Sequence, residues 1–110
     1  MKKILILRFS SIGDIVLTTP VIRCLKEQGD DFEVHYCTKR SYKGLLEENP
    51  YVDKIHVLGA SLSDLVVSLK EEKFDYVIDL HGSLRSFIIK KKLGVKSHTF
   101  NKLNFKKYLF

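Results

Sequence analysis

The residues best suited to chemistry in this chain lie in one short segment near its start. The run Arg8-Phe9-Ser10-Ser11-Ile12-Gly13-Asp14 follows an apolar stretch and precedes a helical one. A helix N-terminus offers free N–H groups and the positive end of the helix dipole, so it favours an anion. Ser10 and Ser11 add hydroxyl groups, and Gly13 permits a tight turn and close approach of a ligand. The segment therefore predicts a site for a polar, anionic group.

Asp14 has two interpretations. An aspartate at a helix start is most often a cap, whereas a carboxylate in a cleft can act as a general base. The known phosphate-loop motifs are absent, and a carboxylate at the helix start would repel a phosphate placed there. Pro20 leaves the boundary open, because one helix over 14–28 would be kinked at this residue. Alternatively, the main helix begins at Thr18-Thr19-Pro20 and Asp14 lies on a short turn before it. On these grounds alone, capping is favoured for Asp14.

The elements that would position this segment alternate between strand and helix. Ile4–Leu7 is an unbroken apolar run, which is typical of a strand buried on both faces. In the third predicted helix, Leu62, Leu65, Val66 and Leu69 form one apolar stripe. Strands are predicted over 32–38, 54–58, 74–80 and 95–100, and helices over 14–28, 41–48, the stretch around 62–69, and 83–92.

This alternation with short connections implies an α/β fold with a parallel sheet and right-handed crossovers. In such sheets, ligands bind beyond the carboxyl ends of the strands. We therefore expect the functional residues in the loops that follow the strands, at 8–14, 38–41, 59–64 and 79–85. In the last of these loops, Asp79 is predicted to order the backbone rather than to do chemistry.

The composition indicates an anionic partner. The 110 residues carry a formal net charge of +6, with a pI of about 9.3, which attracts nucleic acid, acidic headgroups or phosphorylated small molecules. Lys90–Lys92 is predicted to be a solvated helix face, with attraction to a membrane surface as the sharper alternative. No segment has the length of a membrane span, and the N-terminal run lacks the features of a signal peptide.

The cysteines and the two histidines inside predicted strands are expected to be packed side chains rather than functional groups. Cys24 and Cys37 fit neither a zinc spacing nor a redox pair, so both are predicted to be buried thiols in a reducing cytosol. His35 and His56 lie inside predicted strands, and we expect them to be packed side chains rather than ligands.

Two segments resemble a known family. Leu5–Val21, which reads Leu-Ile-Leu-Arg-Phe-Ser-Ser-Ile-Gly-Asp-Ile-Val-Leu-Thr-Thr-Pro-Val, closely resembles the N-terminal signature of the ADP-heptose:lipopolysaccharide heptosyltransferases, glycosyltransferase family 9. Phe74–Ser86 is similar to the segment that ends the fourth strand of that family, where Gln commonly stands in place of His81. Asn49–Asp53 also fits the family.

The resemblance implies a GT-B arrangement, in which two Rossmann-like domains face each other across a cleft. Residues 1–110 would be the N-terminal, acceptor-side domain, a doubly wound parallel sheet in three α/β/α layers. We expect the chain to be part of a longer protein and inactive alone, because the donor domain is missing from it. The resemblance also implies that Asp14 is the general base of an inverting transfer, and that the acceptor is bound by Arg8, Ser10, Ser11, Gly13, His81, Gly82 and Arg85.

The implied reaction moves heptose from ADP-heptose to the lipopolysaccharide inner core or another anionic glycan. We expect neither a metal nor another cofactor, and ADP-heptose would bind the second domain. A cytoplasmic location is expected, with contact at the inner face of the inner membrane as a further expectation.

Several alternatives stay open. Arg8 and Arg85 are as well explained by solvent exposure as by acceptor binding. The chain as a whole could be a non-catalytic α/β module that binds an anionic glycan or a phosphorylated ligand. A nucleic-acid-binding domain is suggested only by the charge, and no recognition motif supports it.

Overall fold

The computed structural model describes residues 2–9, 12–28, 32–59 and 61–99. Its sheet has five parallel strands in the order β3-β2-β1-β4-β5. The strands are β1 (Lys2–Leu7), β2 (Phe32–Lys39), β3 (Lys54–Leu58), β4 (Tyr76–Asp79) and β5 (Lys96–Thr99). The helices are α1 (Ile12–Leu17), α2 (Thr19–Gln28), α3 (Lys43–Glu47), α4 (Leu62–Glu72) and α5 (Leu84–Leu93), with a 3₁₀ turn at Arg40–Tyr42. The predicted Rossmann-like parallel sheet is confirmed.

Helices cover both faces of the sheet, because alternate residues of the central strand β1 point to opposite sides. Ile4 and Ile6 pack on one face with residues of α1, α2 and α3, including Ile15 and Ile22. Leu5 and Leu7 pack on the other face with residues of α4 and α5, including Leu69 and Ile89. This burial on both faces explains the unbroken apolar run in the sequence.

The strand order creates a crevice beside β1. From β1 the chain moves to β2 and β3 on one side, then crosses to β4 on the other side of β1. The chain therefore leaves β1 and β4 towards opposite faces of the sheet, with α1 on one face and α5 on the other. Open α/β sheets bind ligands at such a switch point. Leu7 pairs with both Cys37 and Asp79 at this edge, so the loops that follow β1, β2 and β4 begin side by side.

The segment after the first loop does not form the single helix that is predicted over 14–28. It forms two helices, α1 and α2, which meet at Thr18. Pro20 lies in the first turn of α2, where its missing N–H removes no hydrogen bond. The Thr19 hydroxyl donates instead to the carbonyl of Val16 at 2.5 Å, and the Thr18 hydroxyl donates to that of Ile15 at 2.5 Å. The alternative boundary, with Pro20 near the start of the main helix, is correct.

The remaining boundaries agree with local sequence signals. Ser61 caps α4 by accepting from the backbone N–H of Asp64 at 3.2 Å, and Ser83 caps α5 in a reciprocal capping box with Ser86. Gly94 ends α5 with φ of +65°. The predicted helix stop at 29–31 and the aromatic tail at 101–110 lie outside the described residues. Within the described ranges, no helix combines the length and apolarity that crossing a bilayer requires.

The thiols do not share one environment. Cys37 is fully buried, and burial raises the pKa of its thiol to about 12. Cys24 is exposed on α2, so the expectation that both thiols are buried is wrong for this residue. Val21, Ile22 and Leu25 form the inward face of α2, and Cys24, two residues after the buried Ile22, lies on the opposite face.

The C-cap of α4 offers a direct test of the backbone geometry. Lys73 has φ of +58° and ψ of +63°, a left-handed conformation that costs a residue with a side chain about 1 kcal/mol. We expect Lys73→Gly to raise the free energy of unfolding by about 0.5–1 kcal/mol in urea denaturation. The matched control is Lys70→Gly, inside the last turn of the same helix, which should lower it by about 1 kcal/mol. A loss of stability in Lys73→Gly would contradict the left-handed cap.

Candidate functional site

Arg8 connects three elements at the switch point. Its backbone N–H donates to the carbonyl of Cys37 at 3.2 Å, which extends the pairing of β1 with β2. Its side chain turns towards β4, where Nη1 donates to the carbonyl of Leu80 at 2.8 Å. Nη2 donates to Oδ2 of Asp14 on α1 at 2.7 Å. One guanidinium therefore fixes the loops after β1 and β4 relative to α1.

Asp14 lies inside α1 as its third residue, so the interpretation of Asp14 as the helix cap is wrong. The side chains of Asp14 and Arg8 are 18% and 15% exposed, so water screens their ion pair much less than a surface pair. The charge-assisted hydrogen bond fixes the direction of the carboxylate. The arrangement therefore provides an oriented carboxylate at the mouth of the crevice.

His81 packs against the backbone of the first loop. Its Nδ1 accepts from the N–H of Phe9 at 3.5 Å, and the two rings meet edge to face with centroids 5.3 Å apart. A neutral imidazole that accepts at Nδ1 carries its proton on Nε2, where it can donate to a ligand. Burial, followed by the positive charge of Arg8, lowers the pKa of His81. The side chain is therefore a neutral donor at physiological pH.

Asp79 builds the loop that carries His81. Its buried Oδ1 accepts from the N–H groups of His81 and Gly82, both at 2.9 Å. Its Oδ2 accepts from the Ser86 hydroxyl at 2.8 Å and pairs with Nζ of Lys90 at 3.0 Å. As expected, Asp79 orders the loop. The expectation of a solvated lysine face is wrong for Lys90, because its charge balances the buried carboxylate.

The backbone after Asp79 requires a glycine. Gly82 has φ of +66°, a conformation that residues with a side chain rarely adopt. Gly13 differs, because it lies inside α1 without a positive φ, and an added Cβ would meet nothing within 4 Å. The expectation that Gly13 provides a tight turn is therefore wrong. Ser10 and Ser11 lie outside the described residues, so their predicted roles stay predictions.

Arg85 is exposed on the first turn of α5 and extends over the first loop. Its Cζ lies 5.8 Å from the centroid of the Phe9 ring, while His81 contacts the same ring edge to face. Phe9 is 1% exposed, so a buried aromatic ring positions both polar side chains. We refer to Arg8, Asp14, His81, Gly82 and Arg85 as the switch-point site.

Lys39 adds a third cation that sequence reasoning did not single out. It ends β2, and its positive charge acts with those of Arg8 and Arg85 to lower the pKa of His81. Because ligands bind beyond the carboxyl ends of parallel strands, the sequence already predicts functional residues in the loop at 38–41, which includes Lys39. The site presents several cations and one oriented carboxylate, which suits a ligand that bears both an anionic group and a hydroxyl.

Comparisons with known proteins agree with this architecture. No protein-family model matches the chain. The lipopolysaccharide heptosyltransferase 1 of Campylobacter coli is 28% identical over 110 residues, which cover 94% of this chain and 32% of that protein. The predicted resemblance to the heptosyltransferases is confirmed. The chain spans about a third of the length of this heptosyltransferase, and the solved structures below give the same proportion.

Two solved structures carry the same fold. The family 9 glycosyl transferase of Veillonella parvula superposes with a TM-score of 0.83 at 22% identity, over 97% of this chain and 34% of that one. The ADP-heptose lipopolysaccharide heptosyltransferase II of E. coli gives a TM-score of 0.77 at 22% identity, over 92% of this chain and 30% of that one. The chain therefore folds like one Rossmann-like portion of a heptosyltransferase.

The Asp79–Lys90 pair predicts a clear effect on stability. Asp79→Asn keeps an oxygen for the two backbone N–H groups but removes the negative charge that pairs with the Lys90 ammonium, which is 14% exposed. We expect a loss of about 3 kcal/mol in the free energy of unfolding, because removing one member of a buried pair exposes the cost of burying the other. The double variant Asp79→Asn/Lys90→Met should recover part of this loss, whereas Lys92→Met, on the exposed side of α5, should have little effect. Equal losses in the single and double variants would contradict the coupling.

The same pair predicts a dependence on acid. Burial alone would raise the pKa of Asp79, but hydrogen bonds from Gly82, Lys90 and Ser86 outweigh it and lower the pKa. A carboxyl with a lowered pKa in the folded state stabilises the protein fully above its unfolded pKa of about 3.9, and this stabilisation is lost as the pH falls through the folded pKa. The stability difference between the native protein and Asp79→Asn should therefore shrink below about pH 4.

Proposed function

We propose that this chain is the acceptor-binding part of an inverting heptosyltransferase, and that the switch-point site binds an anionic glycan of the lipopolysaccharide inner-core type. The oriented Arg8–Asp14 pair at the mouth of the crevice is the observation that carries the proposal. The match to a lipopolysaccharide heptosyltransferase supports the substrate class, because that protein's name specifies it. As part of the same proposal, the protein acts in the cytoplasm, beside the membrane that holds the acceptor.

In the proposed reaction, Asp14 receives the proton of the acceptor hydroxyl as that oxygen attacks the anomeric carbon of the donor. The new glycosidic bond forms as the bond from the anomeric carbon to the diphosphate breaks, and ADP leaves with the electron pair. Arg8 keeps the carboxylate charged and aimed, which is the positioning that general-base catalysis requires. ADP-heptose would be held by a domain that this chain does not include.

The cations of the site have a separate task in this proposal. Arg85 and Lys39 attract the phosphate or carboxylate groups of the acceptor, and His81 donates from Nε2. The lowered pKa of His81 supports this role, since a neutral imidazole binds sugar hydroxyls and anions alike through one N–H. The backbone turn at Gly82 brings the chain close to the crevice without a side chain in the way.

Binding can be tested on the chain itself. We expect a phosphorylated inner-core oligosaccharide to shift the amide resonances of Arg8–Asp14 and His81–Arg85 in a saturable NMR titration. The unphosphorylated oligosaccharide is the matched ligand control and should bind at least 10-fold more weakly, because it lacks the charge that the cations attract. Shifts confined to other parts of the sheet, or equal affinity for both ligands, would contradict the proposed acceptor site.

Catalysis can be tested in a protein that combines this chain with a donor-binding domain. We expect Asp14→Asn to reduce kcat by about 10²- to 10⁴-fold with a small change in KM for the acceptor, because the proton acceptor is lost and the shape is kept. Asp64→Asn, an exposed aspartate in the first turn of α4, is the matched control. Normal turnover in Asp14→Asn would reject the general base. Binding without any turnover in the native two-domain protein would favour the non-catalytic binding module.

A further inference from the structure

A second polar cluster lies on the α4 face of the sheet, away from the switch-point site. It brings together His35 of β2, His56 of β3 and Glu72 at the end of α4. His35 and His56 are 1% and 6% exposed, and the Glu72 side chain is 19% exposed. Neither the heptosyltransferase resemblance nor the proposed reaction uses these residues. Three potential ligand atoms in a nearly closed interior call for a separate explanation.

The three atoms form a compact triangle. Nδ1 of His35 lies 2.9 Å from Nε2 of His56 and 3.2 Å from Oε2 of Glu72, and the latter two atoms lie 3.7 Å apart. Ligand atoms in a tetrahedral zinc site are about 3.4 Å apart, because each bond is about 2.1 Å long. A circle through the three atoms has a radius of about 1.9 Å, so a point about 2.1 Å from all of them exists just outside their plane.

A carboxylate also lies near the second ring nitrogen of His35. Nε2 of His35 is buried without a hydrogen-bond partner in the described part of the chain, although Oε1 of Glu33 lies 3.2 Å away. A histidine that binds metal through one nitrogen characteristically donates from the other to a carboxylate. Metal at Nδ1 would leave the proton of His35 on Nε2, 3.2 Å from the Glu33 carboxylate, which a small movement of the Glu33 side chain would bring into hydrogen-bond geometry.

A neutral His35 leaves a conflict at its ring nitrogens, although Lys54 already pairs with Glu72. Whichever nitrogen of neutral His35 carries the proton, the lone pair of the other nitrogen lies beside a carboxylate, either Glu33 or Glu72. A cation bound between the three ligand atoms removes the conflict.

We propose that His35, His56 and Glu72 bind a divalent transition-metal ion, with Zn²⁺ as the best match. Two imidazoles and one carboxylate form a donor set that zinc accepts, with a fourth position left for water. His56 and Lys54 line a surface cavity of about 500 Å³, which gives this side of the cluster access to solvent. The ion would link β2, β3 and α4 at a point remote from the crevice.

Lys54 would compete with the metal for the Glu72 carboxylate. Its Nζ lies 3.2 Å from the same Oε2 of Glu72, and its side chain is 56% exposed, so it can swing into solvent when an ion binds. Removing this ammonium should strengthen metal binding, because the metal then no longer competes with Lys54 for Oε2 of Glu72. This direction distinguishes the site from adventitious binding elsewhere on the surface.

The test is a titration of the purified, metal-free protein with Co²⁺ and Zn²⁺ at pH 7.5, in a Cys24→Ser background that removes the exposed thiol. We expect one equivalent of Co²⁺ to give visible d–d absorption typical of four-coordinate cobalt, Zn²⁺ to displace it, and the ring ¹⁵N resonances of His35 and His56 to shift. Zn²⁺ should also raise Tm by several degrees, since it binds only the folded state.

Matched variants locate the site. Glu72→Gln should weaken Co²⁺ binding at least 10-fold, whereas Glu71→Gln, the exposed neighbour, should leave it unchanged. Lys54→Met should tighten binding about 10-fold. If Glu72→Gln fails to fold by circular dichroism, Lys54→Met and the histidine resonances carry the comparison. Absence of saturable binding in the native protein would overturn the proposal in favour of a proton shared within the cluster, as would binding that does not shift the two histidines.

Discussion

The guanidinium of Arg8 holds the candidate site in place. It is the first side chain after the central strand, and it binds the carbonyl that follows β4 and the carboxylate on α1 at once. These contacts lie where the chain changes sides of the sheet, next to the last backbone hydrogen bonds of the central strands, from Arg8 to Cys37 and from Leu80 to Leu7. The partly buried charge pair therefore adds to the backbone pairing in holding the shape of the crevice.

A second buried charge supports the opposite wall of the crevice. Asp79 accepts from two backbone N–H groups, a hydroxyl and the Lys90 ammonium, so the loop that bears His81 rests on a neutralised carboxylate. Phe9 joins the two walls, because its ring meets His81 at the edge and the Arg85 guanidinium above it. Each wall thus contains a carboxylate held by a positively charged side chain, Asp14 by Arg8 and Asp79 by Lys90, as a rigid ligand site needs.

Most of the fold could be predicted from the sequence, because the apolar run of β1 and the apolar stripe of α4 indicate a buried strand and a half-buried helix. It also favoured the loops after β1 and β4, because parallel sheets bind ligands there. Its failures share one physical origin, which is that tertiary partners are invisible in a local pattern. Asp14 is predicted to be a helix cap, but it lies inside α1 and pairs with Arg8. Lys90 is predicted to be solvated, but it pairs with the buried Asp79 at 3.0 Å. His35 and His56 were correctly expected to be packed, but their meeting with Glu72 depends on strand register and on the length of α4.

A crystal structure of the chain bound to a phosphorylated inner-core oligosaccharide would test the central claim most directly. The account predicts that an acceptor hydroxyl lies about 2.6–3.2 Å from the Asp14 carboxylate, the reach that general-base catalysis requires. It also predicts that a phosphate contacts the Arg85 side of the crevice. An oligosaccharide bound elsewhere, or bound in the crevice with only its phosphate towards Asp14 and Arg8, would contradict the account.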